Sequence, residues 1–166
     1  MNIRTALLTE HSKSQVLKIV KYIGNDRTRF DTLMQLFLND EYRVCQRAAW
    51  AVSVCAETHP EWMRSYIPVM LDNLNKKVHP AVIRNTIRLL QFTDIPKKEH
   101  GRVADICFRY LADPGTPVAI RVFSMTVLSS LSEVYPEIKN ELKLIIEEQL
   151  PYATPAFKSR LKQIKL

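Results

Sequence analysis

Three arginines, Arg47, Arg84 and Arg121, stand 37 residues apart, and their surroundings repeat with them: Gln46, Ile83 and Ile120 precede them, and Pro80 matches Pro117. The same step taken through the segment before each arginine gives Leu33, Met70, Cys107 and Leu144. It then gives Met34, Leu71, Phe108 and Ile145, and after them Phe37, Leu74 and Leu111. Every slot is apolar. Self-similarity at this period is the mark of supersecondary units that cannot bury their apolar faces alone and close a core only by stacking on neighbours.

Within a unit the apolar slots fall at i, i+1 and i+4, and Phe30, Ile67 and Ala104 extend them to i−3, which is one stripe of a helix and not the alternation of a strand. The arginine segments have their own helical stripe: Val44, Ala48, Ala51, Val52 and Cys55 in one copy, Val118, Val122, Met125 and Leu128 in another. Each unit is therefore a helix pair. First helices are expected at about 27–39, 60–75, 97–112 and 135–150, second helices at about 41–57, 80–93, 117–133 and 155–165. A leading helix over about 12–24 begins after Ser12 or Ser14 as N-cap and stops at Gly24. Eight of the nine prolines fall at helix boundaries, and the ninth, Pro68, lies inside a first helix that it should kink. No segment reads as a strand. Leu33, Met70, Cys107 and Leu144 are expected together in one continuous core, and residues 1–166 are read as a single repeat domain.

The second helices resemble those of HEAT repeats: Arg84 and Arg121 are each preceded by Ile and followed by Ile87 and Ser124 three residues on, with Leu90, Leu128 and Leu131 beyond. Pro68 adds to the likeness, because HEAT first helices are often kinked by proline. The resemblance covers residues 12–166 and implies an all-α, right-handed α-α superhelix, a solenoid of the armadillo type with about four helix pairs and a leading half-repeat. HEAT units usually set an Asp six residues before the arginine, whereas Asp40 precedes Arg47 by seven and Asp113 precedes Arg121 by eight, with Val78 in the middle copy. The chain is also similar to short bacterial HEAT-like proteins that have been labelled adenylosuccinate lyase. That label fails here: the lyase is more than twice as long and needs a Ser-Ser-x-Met-Pro loop, while Ser129-Ser130 runs on into Leu131-Ser132-Glu133.

HEAT architecture implies that second helices line the concave side, and the charge divides by layer. With 24 Lys and Arg against 17 Asp and Glu, the chain carries +7, and all of that excess lies in the second-helix segments. Lys76, Lys77, Arg84 and Arg88 in the middle, and Lys158, Arg160, Lys162 and Lys165 at the end, have no acid between them. These eight residues are the candidate basic surface. Arg47, Arg84 and Arg121 also occupy a repeat slot, which gives them a competing role in holding units together.

Catalytic chemistry finds no convergent set. His11, His59, His79 and His100 never stand at i, i+4, there is no Cys-x-x-Cys, and Asp113-Pro114-Gly115-Thr116-Pro117 is a turn without the Gly-Lys-Ser/Thr of a phosphate loop. No metal or cofactor is expected, and Cys45, Cys55 and Cys107 read as reduced, packed thiols. HEAT-like alkylpurine DNA glycosylases use a basic concave face with tryptophans and an aspartate. Here Trp50 and Trp62 are present, but no Asp or Glu lies in the second helices between Arg47 and Val54, Ala81 and Gln91, or Val118 and Leu131. The first fifteen residues lack the long apolar core of a secretory leader and no run is long enough to span a membrane, so the chain is expected in the cytoplasm. The expected function is a non-catalytic binding module or scaffold that engages a protein or peptide on its basic concave face. The alternative is a nucleic-acid binder related to the glycosylases but without their catalytic residues. Neither the identity of the partner nor the oligomeric state follows from the sequence.

Overall fold

The computed structural model describes residues 1–166 as an all-helical chain without strands, divided into two compact units, Met1–Asn85 and Thr86–Leu166. In the first unit α1 (Ile3–Thr9) precedes the expected leading helix α2 (Lys13–Ile23). The side chain of Asn2 caps α1 by accepting from the Thr5 amide at 3.0 Å, and Ser12 caps α2 through the Gln15 amide at 3.1 Å. Gly24 ends α2 at φ 50°, a left-handed conformation that a Cβ would strain, and its N–H bonds the Val20 carbonyl. The short α1 escaped the sequence reading because its seven residues supply only Ile3, Ala6 and Leu7 to the interior.

The first pair after the leading helix is α3 (Arg27–Asn39) and α4 (Tyr42–Thr58). Asp26 caps α3, and Phe30, Leu33, Met34 and Phe37 along it are fully buried against Val44, Ala48, Ala51 and Val52 of α4. Each of these large side chains contributes roughly 1.5–3 kcal/mol relative to exposure. The next first helix is broken in two, α5 (Pro60–Arg64) and α6 (Ile67–Leu74). Pro68 is the reason: it has no N–H to offer the carbonyl of Arg64 and its ring crowds that turn, so the helix stops and restarts. Its second helix is α7 (Pro80–Leu90), within which the boundary between the units falls.

The second unit holds a 3₁₀ turn at Lys97–Glu99, then α8 (His100–Ala112), α9 (Val118–Ser132), α10 (Pro136–Gln149), a 3₁₀ turn at Leu150–Tyr152 and α11 (Pro155–Leu161). Val103, Cys107 and Leu111 of α8 are buried with Val122, Met125 and Leu128 of α9. In α10 the expected register is corrected. Leu144, assigned to the core by the 37-residue step, is 67% exposed, while Leu142 is fully buried and Ile146 nearly so. The equivalence runs from Cys107 to Leu142 and from Leu111 to Ile146, a step of 35. Pro136 starts α10 one residue sooner than a strict step of 37 from His100 requires, and Ile138, Leu142 and Ile146 form its apolar stripe, whereas Leu144 stands among Asn140, Glu141, Glu147 and Glu148.

A recurring contact closes the helix ends. The last carbonyls of a helix have no partner within it, and here a side chain from the following part of the chain supplies the donor. Arg47 gives Nη1–H to the carbonyls of Leu7 and Leu8 at 2.9 and 3.1 Å, below α1. Asn73 gives Nδ2–H to Leu38 at 3.1 Å, below α3. Gln149 gives Nε2–H to Leu111 at 2.8 Å and Ala112 at 3.3 Å, below α8.

Candidate functional site

The eight basic residues fall in two places. Lys76 and Lys77 lie in the segment between α6 and α7 and are exposed, Arg84 is half-buried on α7, and Arg88 is exposed one turn further along that helix. Lys158 is exposed on α11, whereas Lys162 and Lys165 lie beyond its end and Arg160 is largely withdrawn. Arg160 is not available to a ligand as it stands: its Nη1 donates to Gln91 Oε1 at 3.0 Å and Thr126 Oγ1 at 2.7 Å, and its guanidinium lies over the Phe123 ring at 5.9 Å. Lys165 sits 3.8 Å from Glu133, both well exposed, and such a pair is worth little in water. Lys76, Lys77, Arg88, Lys158 and Lys162 are exposed with no carboxylate in ion-pair range.

The repeat arginines divide as their slot suggests. Arg47 is committed to the α1 carbonyls, and Arg121 donates through Nη2 to Gln149 Oε1 and lies over the Phe157 ring at 5.2 Å. Neither meets an Asp. Asp40 turns instead to Arg4 of α1, accepting at 2.8 Å from Nε and 3.0 Å from Nη2. That hydrogen bond is the main reason its carboxyl is held below the usual range, against a desolvation effect of opposite sign. The spacing of seven before Arg47 thus marks a different pairing and not a displaced copy of the HEAT one.

Three of the aromatic residues near the basic segments have partners, while Phe92, just beyond Arg88, is 79% exposed. Tyr42 stacks on His79 at 4.6 Å, Trp50 meets the His11 ring edge-on at 5.6 Å, and Phe157 is buried under Arg121. Trp62 stacks on His59 at 3.9 Å and leans on Phe30 at 5.1 Å, with the Arg27 guanidinium 5.8 Å from its ring. Beside it Asp31 accepts from Arg27 Nε at 2.8 Å and from the Tyr66 hydroxyl at 2.6 Å. Burial and then the Asp31 contact push the Tyr66 phenol up to about 12. This cluster ties α3 to α5 and to the turn that leads into α6.

The histidines serve local structure. His79 Nδ1 accepts from the Ala81 amide at 3.1 Å, and His100 links the Ile95 carbonyl at 2.8 Å to the Tyr135 hydroxyl at 3.1 Å. No group of three or more His, Cys, Asp or Glu is gathered in metal-binding reach. The three cysteines are buried and unpaired, and burial pushes the thiols of Cys55 and Cys107 up to about 11 and 12.

One cleft of the second unit escaped the sequence reading. About 530 Å³ in volume, it is lined by Ala112, Pro114, Arg121, Glu148, Gln149, Tyr152 and Thr154. Its residues come from the turns after α8 and α10, from α9 and from the end of α10. Those turns register in the sequence only as helix breakers. A signal was present in Tyr152, a large ring within the breaker Tyr152-Ala153-Thr154-Pro155, which the structure leaves 90% exposed.

Helix pairs repeated along the chain define a helical-repeat protein of the α-α solenoid class. A family model for the HEAT repeat domain matches residues 3–165, and the chain belongs to that family. HEAT repeats are scaffolds used commonly for protein interaction. No curated protein and no solved structure matches the chain. No helix is long and apolar enough to cross a membrane.

Proposed function

We propose that this HEAT protein is a non-catalytic binding module whose partner is an acidic protein or peptide segment, held by the exposed lysines and arginines of its second-helix layer. The observation that carries the reading is the state of the side chains around those cations. Lys76 and Lys77 are exposed with no acid to neutralise them, while Tyr42, Trp50 and Phe157 already have partners inside the fold and the exposed rings of Phe92 and Tyr152 are too few for a continuous stacking track. Single-strand binders need bases to stack on exposed rings. A protein carboxylate asks only for a cation and a hydrogen-bond donor. The three buried, unpaired thiols support a reducing compartment, the cytoplasm.

The test uses the whole chain and two probes, a fluorescent polyglutamate peptide and single- and double-stranded DNA and RNA of mixed sequence. At physiological salt the peptide binds and the nucleic acids are not retained. Replacing Lys76, Lys77 and Arg88 together by Glu weakens the peptide at least about tenfold, as expected for the loss of several charge-assisted contacts. The single change Arg109→Glu on a first helix, where Arg109 pairs only with exposed Asp105 at 3.2 Å, has little effect. Tight nucleic-acid binding that falls steeply between 50 and 200 mM salt and is lost on the triple substitution would overturn the protein reading in favour of phosphate contacts.

A further inference from the structure

The cleft behind Arg121 holds a cation and an anion that do not neutralise each other. Arg121 has given Nη2–H to the neutral oxygen of Gln149, and the amide of Gln149 is held in place by the Leu111 and Ala112 carbonyls. The Phe157 ring backs the guanidinium at 5.2 Å. Its Nε–H is shielded from solvent and has no acceptor, and no carboxylate stands within ion-pair distance. Glu148 lines the same cleft and is likewise outside ion-pair distance of any cation. Pro114, Ala112 and the exposed ring of Tyr152 add apolar surface to the lining of the same cleft.

We propose that this cleft is a binding site for a small zwitterion of amino-acid or dipeptide size bearing an apolar side chain. The carboxylate of the ligand meets Arg121, its ammonium group meets Glu148, and its side chain lies against Tyr152 and Pro114. A volume of about 530 Å³ is within the range that small-ligand pockets occupy. A purely anionic ligand would gain at Arg121 and lose at Glu148, and a cation the reverse. Only a molecule with both charges gains at both ends. The pre-set guanidinium favours binding because Phe157 and Gln149 have already removed most of its freedom to move. The site lies wholly within the second unit.

The experiment titrates the full-length chain, labelled for nuclear magnetic resonance at arginine Nε and at the tyrosine rings, with four probes. L-Phenylalanine and the dipeptide leucyl-phenylalanine carry both charges, 3-phenylpropionate carries only the negative one and phenethylamine only the positive one. The expected result is a saturable shift of the Arg121 Nε–H and Tyr152 ring signals with at least one zwitterion, with affinity at least about tenfold above either single-charge probe. Glu148→Gln, a change on an exposed side chain that leaves the fold intact, should reduce that preference to about threefold or less. Tyr152→Ala should weaken the zwitterion while leaving the melting temperature unchanged. No saturable shift with any probe, or equal affinity for phenylalanine and 3-phenylpropionate in the unchanged protein, overturns the assignment.

Discussion

Leu142 and Leu144 stand two residues apart on the same helix, have the same chemistry and face opposite fates, which makes α10 the sharpest test of how the last repeat is packed. Leu142 is fully buried and Leu144 is 67% exposed. Truncating a fully buried leucine to alanine costs the transfer free energy of the lost atoms plus the cavity left behind, about 2.7–5 kcal/mol. The same truncation at an exposed site stays within about 0.5 kcal/mol, since alanine loses nothing to leucine in helix propensity. For a chain of this size each kcal/mol shifts the melting temperature by about 2–4 °C. Leu142→Ala should therefore melt at least about 5 °C below the parent, and Leu144→Ala within about 2 °C of it. Urea unfolding followed by far-ultraviolet circular dichroism, with melting as a second probe, measures both. A larger loss from Leu144→Ala than from Leu142→Ala would refute the 35-residue step and restore the strict period of 37.

Two further outcomes follow from the titrating groups. The Asp40 carboxyl is held below its ordinary value chiefly by its hydrogen bond to Arg4. Its contribution to stability is thus complete above about pH 4 and is lost as pH falls through the lower folded value, so Asp40→Asn should flatten the acid limb of the stability curve below about pH 4. An acid limb unchanged in that variant would remove the Arg4–Asp40 pair from the account. With Cys55 and Cys107 pushed up to about 11 and 12 by burial, neither thiol should react with a disulfide reagent at pH 8 in the native protein, and both should react once it is unfolded in urea. Rapid labelling of Cys107 in the folded chain would show that the α8–α9 core opens locally.

Most of the helix pairs were legible because burial here has a period. Phe30, Leu33 and Phe37 can share one face only on a helix, and the prolines at 60, 80, 117, 136 and 155 mark where helices begin. The kink at Pro68 was legible for the same steric reason, and the structure extends it to a complete break between Arg64 and Ile67. The repeat step misplaced Leu144 in α10, where the helical pattern itself pointed to Leu142: Ile138 and Ile146 stand four residues to either side of it, whereas Asn140 and Glu148 flank Leu144 at that spacing. The short α1 gave too few apolar positions for a period to show. As for the candidate surface, charge was legible and occupancy was not. Nothing in the sequence distinguishes Lys158, which is exposed, from Arg160, which bonds Gln91 and Thr126 from 69 and 34 residues away. Such partners are set by tertiary placement, which leaves no trace at the arginine itself. The Arg121 cleft was hidden for a related reason, because its walls come from turns.

The side chains that close α1, α3 and α8 all deliver their hydrogens to main-chain carbonyls, and the donors are a guanidinium and two primary amides. None of these donors is a carboxylate. A ladder of carboxylates facing arginines would loosen at every rung as its acids protonated. Here acidification reaches the outer pair of Arg4 and Asp40 and leaves those three closures chemically untouched. The sequence therefore sacrifices the charged rung familiar from its family for closures that hold by geometry alone, and a change of pH can alter what the surface attracts without altering how these helix ends are tied.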